Sequence, residues 1–439
     1  MILRKAFRFR LDPTEKQQNL LTRACGCARF VWNKALTLQK GRLEGKVPLI
    51  PYQDLARFLT LWRASDEYGF LDESPVHTLQ WSLKFLQQAI WEGLDPTNPK
   101  KFPGFRKKGI HNSLRFPDSK QIHFDFAEKD DQGRSVLPRV FLPKIGYLKM
   151  RKSRELEGTL RNASVTKSGK HWYVSFQTEQ EIPDPVCKSK SAVGIDLGVA
   201  RFATIAAEET EQVIPPLEVK NLETKISWNQ RKLSRKKKFS KKWKRQKLSI
   251  QKIYSKKASI LKDFHHKLSS EISKNHAIVV MEDLKIANMS ASAKGTLEEP
   301  GSNVKAKSGL NKAILRQGWY AFRQMVDYKL QWAGGKLILV NPRNTSKKCP
   351  ECHTIDSENR KTQAEFNCVN CGHQANADLV ASINILRAGL AQFACCYSNS
   401  SRVIDPTSTR RCYWIFSRFS RSRKSLKQRL PKNVLELEH

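Results

Sequence analysis

The chain is short of acidic residues, of long apolar runs and of any disulfide-like cysteine pattern. It carries 41 Asp and Glu against 79 Lys and Arg over 439 residues, a formal charge of +38. Charge so one-sided repels itself within a compact domain. A polyanion removes that repulsion and gains affinity by releasing counterions. Nucleic acid is therefore the leading partner, ahead of a membrane surface or a chain tuned only for solubility. No run approaches the roughly 18 apolar residues of a membrane span, which predicts no membrane partner. Met1–Arg10 alternates basic and apolar residues and lacks the apolar centre of a secretion signal. The expected setting is the cytoplasm, associated with the nucleoid through DNA. Of ten cysteines, four cluster in order and six are scattered, which argues for a metal site in a reducing compartment.

The length suits several domains. Residues 1–10 read as a strand. A turn at Asp12-Pro13-Thr14-Glu15 then opens a helical stretch over 14–40, followed by amphipathic helices over 52–65 and 75–93. From about 100 to 180, short strand-like stretches alternate with Gly, Pro and Asp. A β-rich domain (1–12 and 100–182) interrupted by a helical insertion (13–99) is the simplest organisation. After a linker at Glu181–Ser191, apolar strands are expected at 192–196, 201–206, 277–282 and 336–340. A long helix or helical hairpin is expected over 222–275, a mobile loop over 290–309 and a single helix over 311–333. No internal repeat is visible. Residues 391–439 are basic and rich in Ser and Arg and read as a disordered tail.

Two of those strands, Ala192–Asp196 and Ala277–Glu282, end in a carboxylate, and ligand sites form at the C-terminal edge of an α/β sheet. A third acid, Asp378, opens an apparent helix. Taken singly, each could be a cap or an exposed strand end. Together, Asp196, Glu282 and Asp378 suit hard divalent cations such as Mg²⁺ or Mn²⁺. Two such ions activate water and stabilise the leaving oxygen of a phosphodiester.

Cys349-x2-Cys352 and Cys368-x2-Cys371, fifteen residues apart, have the spacing of two knuckles that together hold one tetrahedral Zn²⁺. Four thiolates leave no open position for water, so the zinc is expected to be structural. His353 and His373 flank the cluster and are read as solvent or phosphate contacts. Residues 231–257 hold fourteen Lys or Arg and no acid. A solvated helix normally mixes signs, so Arg235, Lys236, Lys237, Lys241, Lys242 and Arg245 are candidate phosphate contacts. Trp243 and Tyr254 could stack on bases or pack on a core. Further basic patches hold Arg106, Lys107 and Lys108, and Arg4, Lys5 and Arg8.

Gly194-Ile195-Asp196-Leu197-Gly198, Val280-Met281-Glu282-Asp283-Leu284 and Asn376-Ala377-Asp378 resemble the three motifs of a RuvC-type nuclease. Their order and intervals resemble the TnpB family, the OrfB-type, transposon-encoded RNA-guided nucleases. Phe7–Asn33, Phe102–Phe116, Phe264–Ser269, Asn344–Cys352 and Cys371–His373 extend the likeness over about residues 1–388. The resemblance implies an α+β multidomain chain. It would have an RNase H-like RuvC core (189–345 and 373–390) with an inserted zinc ribbon (346–372). A barrel-like wedge domain would be interrupted by the recognition insertion. The implied activity is DNA cleavage with Mg²⁺ or Mn²⁺ at the triad, guided by an RNA derived from the transposon end, on double-stranded DNA beside a short motif. The alternatives are a nuclease-inactive RNA-guided repressor and a guide-independent nuclease or transposase. One departure stands out: the family has an Asn two positions after the third acid, where this chain has Val380. Loss of that amide is expected to weaken support of the metal site.

Overall fold

The computed structural model describes all residues except 111, 127–136, 188, 190, 207–209, 297, 363 and 401–439; the side chains of 210 and 395–400 are likewise outside it. The chain divides into two compact units. One comprises Met1–Asp184 with Trp228–Tyr254, and the other Pro185–Ser227 with the residues from Ser255 onward.

The first unit begins with β1 (Ile2–Leu11), then α1 (Glu15–Glu44), α2 (Tyr52–Ala64) and α3 (Val76–Leu94). Thr14 and Gln17 close a reciprocal capping box at the start of α1, which satisfies two orphan amide groups at the turn seen in the sequence. Strands β2 (Ser113–Phe116), β3 (His123–Asp125), β4 (Arg139–Leu142), β5 (Gly146–Arg151), β6 (Thr159–Ser168) and β7 (His171–Glu181) follow. They join β1 in a seven-stranded sheet of order β2-β6-β7-β1-β5-β4-β3. The first strand thus pairs with strands more than a hundred residues later, and the three helices lie between them in sequence. Alternation sends Phe7, Phe9 and Leu11 of β1 and Trp172, Val174 and Phe176 of β7 into one core with Leu21, Ala28 and Val31 of α1. Among the described residues the sheet is open at β2 and β3, not closed into a barrel.

The second unit is built on β8 (Ala192–Asp196), β9 (Ala203–Ala206) and β10 (Thr210–Val213). Helices α4 (Leu217–Ser234) and α5 (Lys241–Asn275) form the hairpin whose tip groups with the first unit. Next come β11 (Ile278–Glu282), α6 (Ile286–Met289), α7 (Val304–Gln317), α8 (Trp319–Ala333) and β12 (Lys336–Val340). The small hairpin β13 (Glu365–Asn367) and β14 (Gln374–Asn376) precedes α9 (Ala377–Ser400). The five-stranded sheet runs β10-β9-β8-β11-β12, with β8, β11 and β12 parallel and β9 and β10 antiparallel. The architecture is α+β.

Three expectations need correction. The helix expected over 311–333 is two helices, broken at Gly318, whose φ of +71° only glycine adopts without strain. The loop expected over 290–309 ends early, because α7 starts at Val304. That helix buries only Ile314, so its apolar pattern is too sparse to read. The tail expected from 391 begins as helix, since α9 runs through Ser400; the rest of that expectation lies outside the described residues.

Candidate active site

The parallel register of β8 and β11 pairs Gly194 with Val280 and Ile195 with Met281. The next step of the same register sets Asp196 level with Glu282, so two strands 4.7–4.9 Å apart bring both acids to one sheet edge. Helix α9 brings the third. It packs on β8, β9 and β11, and its approach is fixed by Gly194: a Cβ there would lie 2.2 Å from the Ser382 carbonyl. Asp196 is two residues along the strand from Gly194, on the same face. Asp378 is one helical turn from Ser382. Two strand residues and four helical residues both advance roughly 6–7 Å, so Asp378 is carried toward the same edge and, with Glu282, acts electrostatically on Asp196. Asn376 caps the helix, its Oδ1 accepting from the Asp378 N–H at 3.1 Å, which places Asp378 in the first turn, where the helix dipole favours an anion.

The electrostatics follow. Burial, and then the charges of Glu282 and Asp378, push the Asp196 carboxyl up from 3.8 to about 7. Burial also raises Glu282, opposed by a hydrogen bond from Thr345 and by the positive charge of Arg360. Three acids that repel one another in a half-buried site fit a cation that would neutralise them.

Two residues not singled out from the sequence support the acids. Thr345 Oγ1 donates to Glu282 Oε1 at 2.6 Å. Its segment is held by Asn384 of α9, whose Nδ2 donates to the carbonyls of Thr345 and Lys348 at 2.8 and 2.7 Å. Arg360 reaches Asp378, Nη2 to Oδ1, at 3.4 Å. Thr345 lies in the Asn344–Cys352 segment without a local sign of its role, and nothing local marks Arg360. One precedes the first cysteine by four residues and the other lies in the loop between the cysteine pairs. Val380 turns away from this site. It is fully buried with Cys349, Phe366, Cys368 and Ala377, so the residue expected to weaken the metal site packs in an apolar cluster instead.

The four cysteines come together as the spacing requires. Their sulfurs all lie within 4.8 Å of one another, with Cys349 and Cys371 at 3.6 Å and Cys352 and Cys368 at 3.4 Å. Tetrahedral Zn–S bonds of about 2.3 Å would separate sulfurs by roughly 3.8 Å, so the set fits zinc. The two halves are built alike. His353 N–H donates to Cys349 O, and Gly372 N–H to Cys368 O; Cys349 N–H donates to Thr354 O, and Cys368 N–H to His373 O. His353 and Gly372, each just after the second cysteine of its pair, both take positive φ, +63° and +73°. This short repeat is invisible as sequence because the backbone repeats and the side chains do not. Fully buried Asn359 ties the halves together, donating to Lys347 O and Thr354 O and accepting from the Val369 N–H. Arg360 follows it directly.

The basic candidates separate by environment. Arg8, Lys107, Lys108, Lys241, Lys242 and Arg245 are exposed. Arg4 pairs with Glu179 and Lys5 with Glu157. Arg106 is not an open contact: its guanidinium lies 3.6 Å over the Trp32 ring, and burial lowers its pKa to about 10. Asn33 pins that segment by bonds to both the N–H and the carbonyl of Arg106. Arg235, Lys236 and Lys237 lie in the turn between α4 and α5, and Lys236 Nζ donates to Gln246 at 3.2 Å. At that turn Phe239, 73% exposed with φ +65°, sits 5.5 Å from Trp243. Trp243 and Tyr254 both stay outside the buried cores; the Tyr254 hydroxyl accepts from Gln230 at 3.1 Å.

Residues 175–293 match the family model described as "Probable transposase", and residues 319–385 one described as "Cas12f1-like, TNB domain". A relative in Escherichia coli K12, "Putative RNA-guided DNA endonuclease InsQ", is 42% identical over 391 residues, covering 89% of this chain and 94% of the relative. The chain belongs to the TnpB family. A second relative of the TnpB chain, "Putative RNA-guided DNA endonuclease" of Streptomyces pristinaespiralis, is 29% identical and covers 90% and 91%. The solved "mini-RNA-guided endonuclease CRISPR-Cas_phi3" shares the fold with a TM-score of 0.51 at 11% identity, covering 88% and 92%. A further model, "Helix-turn-helix domain", matches residues 1–46, which here form β1 and the single long helix α1.

Proposed function

We propose that this chain is a transposon-associated, RNA-guided DNA endonuclease that hydrolyses phosphodiester bonds at Asp196, Glu282 and Asp378. The observation that supports the reading is the placement of those acids at one sheet edge, where burial, and then the charges of Glu282 and Asp378, push the Asp196 carboxyl up to about 7. Divalent metal bound there, Mg²⁺ or Mn²⁺, would activate water and stabilise the leaving oxygen. The protein's own part is placement. Asp196 and Glu282 project from adjacent parallel strands and Asp378 from a capped helix. Thr345 fixes the Glu282 carboxylate, and Arg360 brings positive charge to the side of Asp378, where a scissile phosphate can be met. The second unit is read as an RNase H-like RuvC core carrying a zinc ribbon. The first is read as a wedge domain with a helical recognition insertion that holds guide RNA and the target duplex. The four cysteines would hold one structural Zn²⁺.

The competing reading is an inactive RNA-guided repressor. It leaned on Val380, which packs in the apolar cluster beside the cysteines. The test is cleavage of a matched plasmid by protein purified with its RNA, in Mg²⁺. Asp196→Ala should abolish cutting and keep target binding. Cutting by that variant would overturn the site, and cutting by RNA-free protein would overturn guidance.

A further inference from the structure

The outer face of the seven-stranded sheet carries an unassigned cleft of about 390 Å³, within the range of roughly 300–1,000 Å³ typical of small-molecule sites. It is built by an irregularity in β6. Leu160 pairs with Thr178, but Asn162 pairs with Gln177, so Arg161 is an extra residue in the strand. In a regular strand neighbouring side chains take opposite faces. At this bulge Arg161 and Asn162 line the same cleft, the re-aiming for which bulges are used beside sites.

The floor is a locked polar set. Gln177 Oε1 accepts from Asn162 Nδ2 at 2.9 Å and from Arg115 Nη2 at 3.1 Å. That fixes the Gln177 amide with its NH2 on the other side. It also leaves Asn162 Oδ1, an acceptor, and Arg115 Nε, a donor, buried with no partner among the described residues. Asn162 is only 8% exposed, and a buried polar atom left unmatched is costly. The Arg115 guanidinium lies 4.4 Å over the Trp81 ring, and burial lowers its pKa. The rim is cationic: Arg4 and Arg161 both hold the single carboxylate of Glu179, at 2.8 and 2.6 Å. Those arginines are 76% and 60% exposed at the side chain, so their outer edges face solvent.

A fixed donor beside a fixed acceptor at the floor matches the edge of a nucleobase, which presents both. Arginines at the rim match a phosphate. We propose that this cleft binds one unstacked nucleotide, its base edge on Asn162, Arg115 and Gln177 and its phosphate on Arg4 and Arg161. The site rests on the nucleic-acid reading above and sharpens it: a single extruded nucleotide is recognised on this sheet by its base as well as its backbone. The nucleotide can come from RNA or from DNA, and the 2′-hydroxyl separates the two.

The test titrates full-length protein, freed of RNA by high salt, with ribo- and deoxyribonucleoside monophosphates and with ribose 5-phosphate, reading affinity by calorimetry. At least one nucleotide should bind on the order of tenfold more tightly than ribose 5-phosphate, and Asn162→Ala should remove that margin, as loss of one base contact does. Lys312→Gln, at an exposed position of α7 in the second unit, should leave it intact. If Asn162→Ala fails to fold, Arg115→Gln carries the same expectation, since it removes the unpartnered donor from the floor. A preference for the ribo series assigns the site to RNA, and a preference for the deoxy series assigns it to DNA. Equal affinity for all ligands, or a margin that both variants preserve, overturns the proposal. Guided plasmid cutting is scored separately. Protein that cuts but binds no mononucleotide loses the cleft and keeps the function; protein that binds one but does not cut loses the function and keeps the cleft.

Discussion

Replacing Asp196 with Asn should stabilise the protein while it abolishes cutting, provided the triad carries no divalent metal. The cause is burial of the carboxyl first, and then the charges of Glu282 and Asp378. In the folded chain the Asp196 carboxyl sits at about 7 instead of 3.8, so it prefers its proton. The sign follows directly. Below about pH 4 the group is protonated in both folded and unfolded chains, and the fold is not penalised. Between about pH 4 and pH 7 the unfolded group ionises while the folded one keeps its proton, so stability is lost across that window and the full penalty holds above it. Each pK unit corresponds to 1.36 kcal/mol, so about three units set a ceiling of about 4 kcal/mol. The carboxylate is partly open to solvent, which screens it, so about half of that, ~2 kcal/mol, is the working expectation. For a unit of this size that is a rise of about 4–8 °C in Tm. The assay is thermal unfolding at pH 8 and pH 4.5 in buffer without Mg²⁺. Chelators are left out, because they would also strip the cysteine site. Asp196→Asn should gain at pH 8 and gain only about a quarter as much at pH 4.5, and Mg²⁺ should stabilise the wild type more than the variant. Equal stability at pH 8, or the same gain at both pH values, would refute the reasoning.

Four further outcomes follow from the geometry. Thr345→Ala should cut about 10–100-fold more slowly with unchanged target binding, and Thr345→Ser should restore most of the rate; an unaffected rate would remove Thr345 from the support of Glu282. Serine at all four of Cys349, Cys352, Cys368 and Cys371 should eliminate bound zinc, measured by elemental analysis, and lower Tm, because the metal then no longer folds the knuckles. Gly194→Ala should displace α9, since its Cβ would meet the Ser382 backbone at 2.2 Å; soluble protein with wild-type Tm would contradict the packing. Val380→Asn should destabilise by about 1–3 kcal/mol by burying an amide in an apolar cluster; faster cutting by that variant would show that the residue faces the metal site after all.

Much of the site was legible because its signals are local. A strand that is apolar on both faces and ends in an acid announces both a buried strand and its functional edge, as Val193–Asp196 and Val279–Glu282 do. Two Cys-x2-Cys pairs announce a metal because few other arrangements need that spacing. The break at Gly318 was not legible, because the apolar rhythm of Ile314, Trp319, Phe322 and Val326 runs straight across it. Arg106 looked like a phosphate contact, because sequence shows its charge and not the Trp32 ring beneath it.

The sequence by itself determined which residues carry charge, which strands are buried and which cysteines act together, because those properties are set within a few residues of chain. Only the tertiary structure decided that Asn384 holds Thr345 against Glu282, that Arg360 answers Asp378, and that Arg161 and Asn162 share one cleft. These pairings join residues from different elements or depend on a strand's register with its neighbour. Neither a partner across the fold nor a register shift leaves a periodic mark in the chain that contains it.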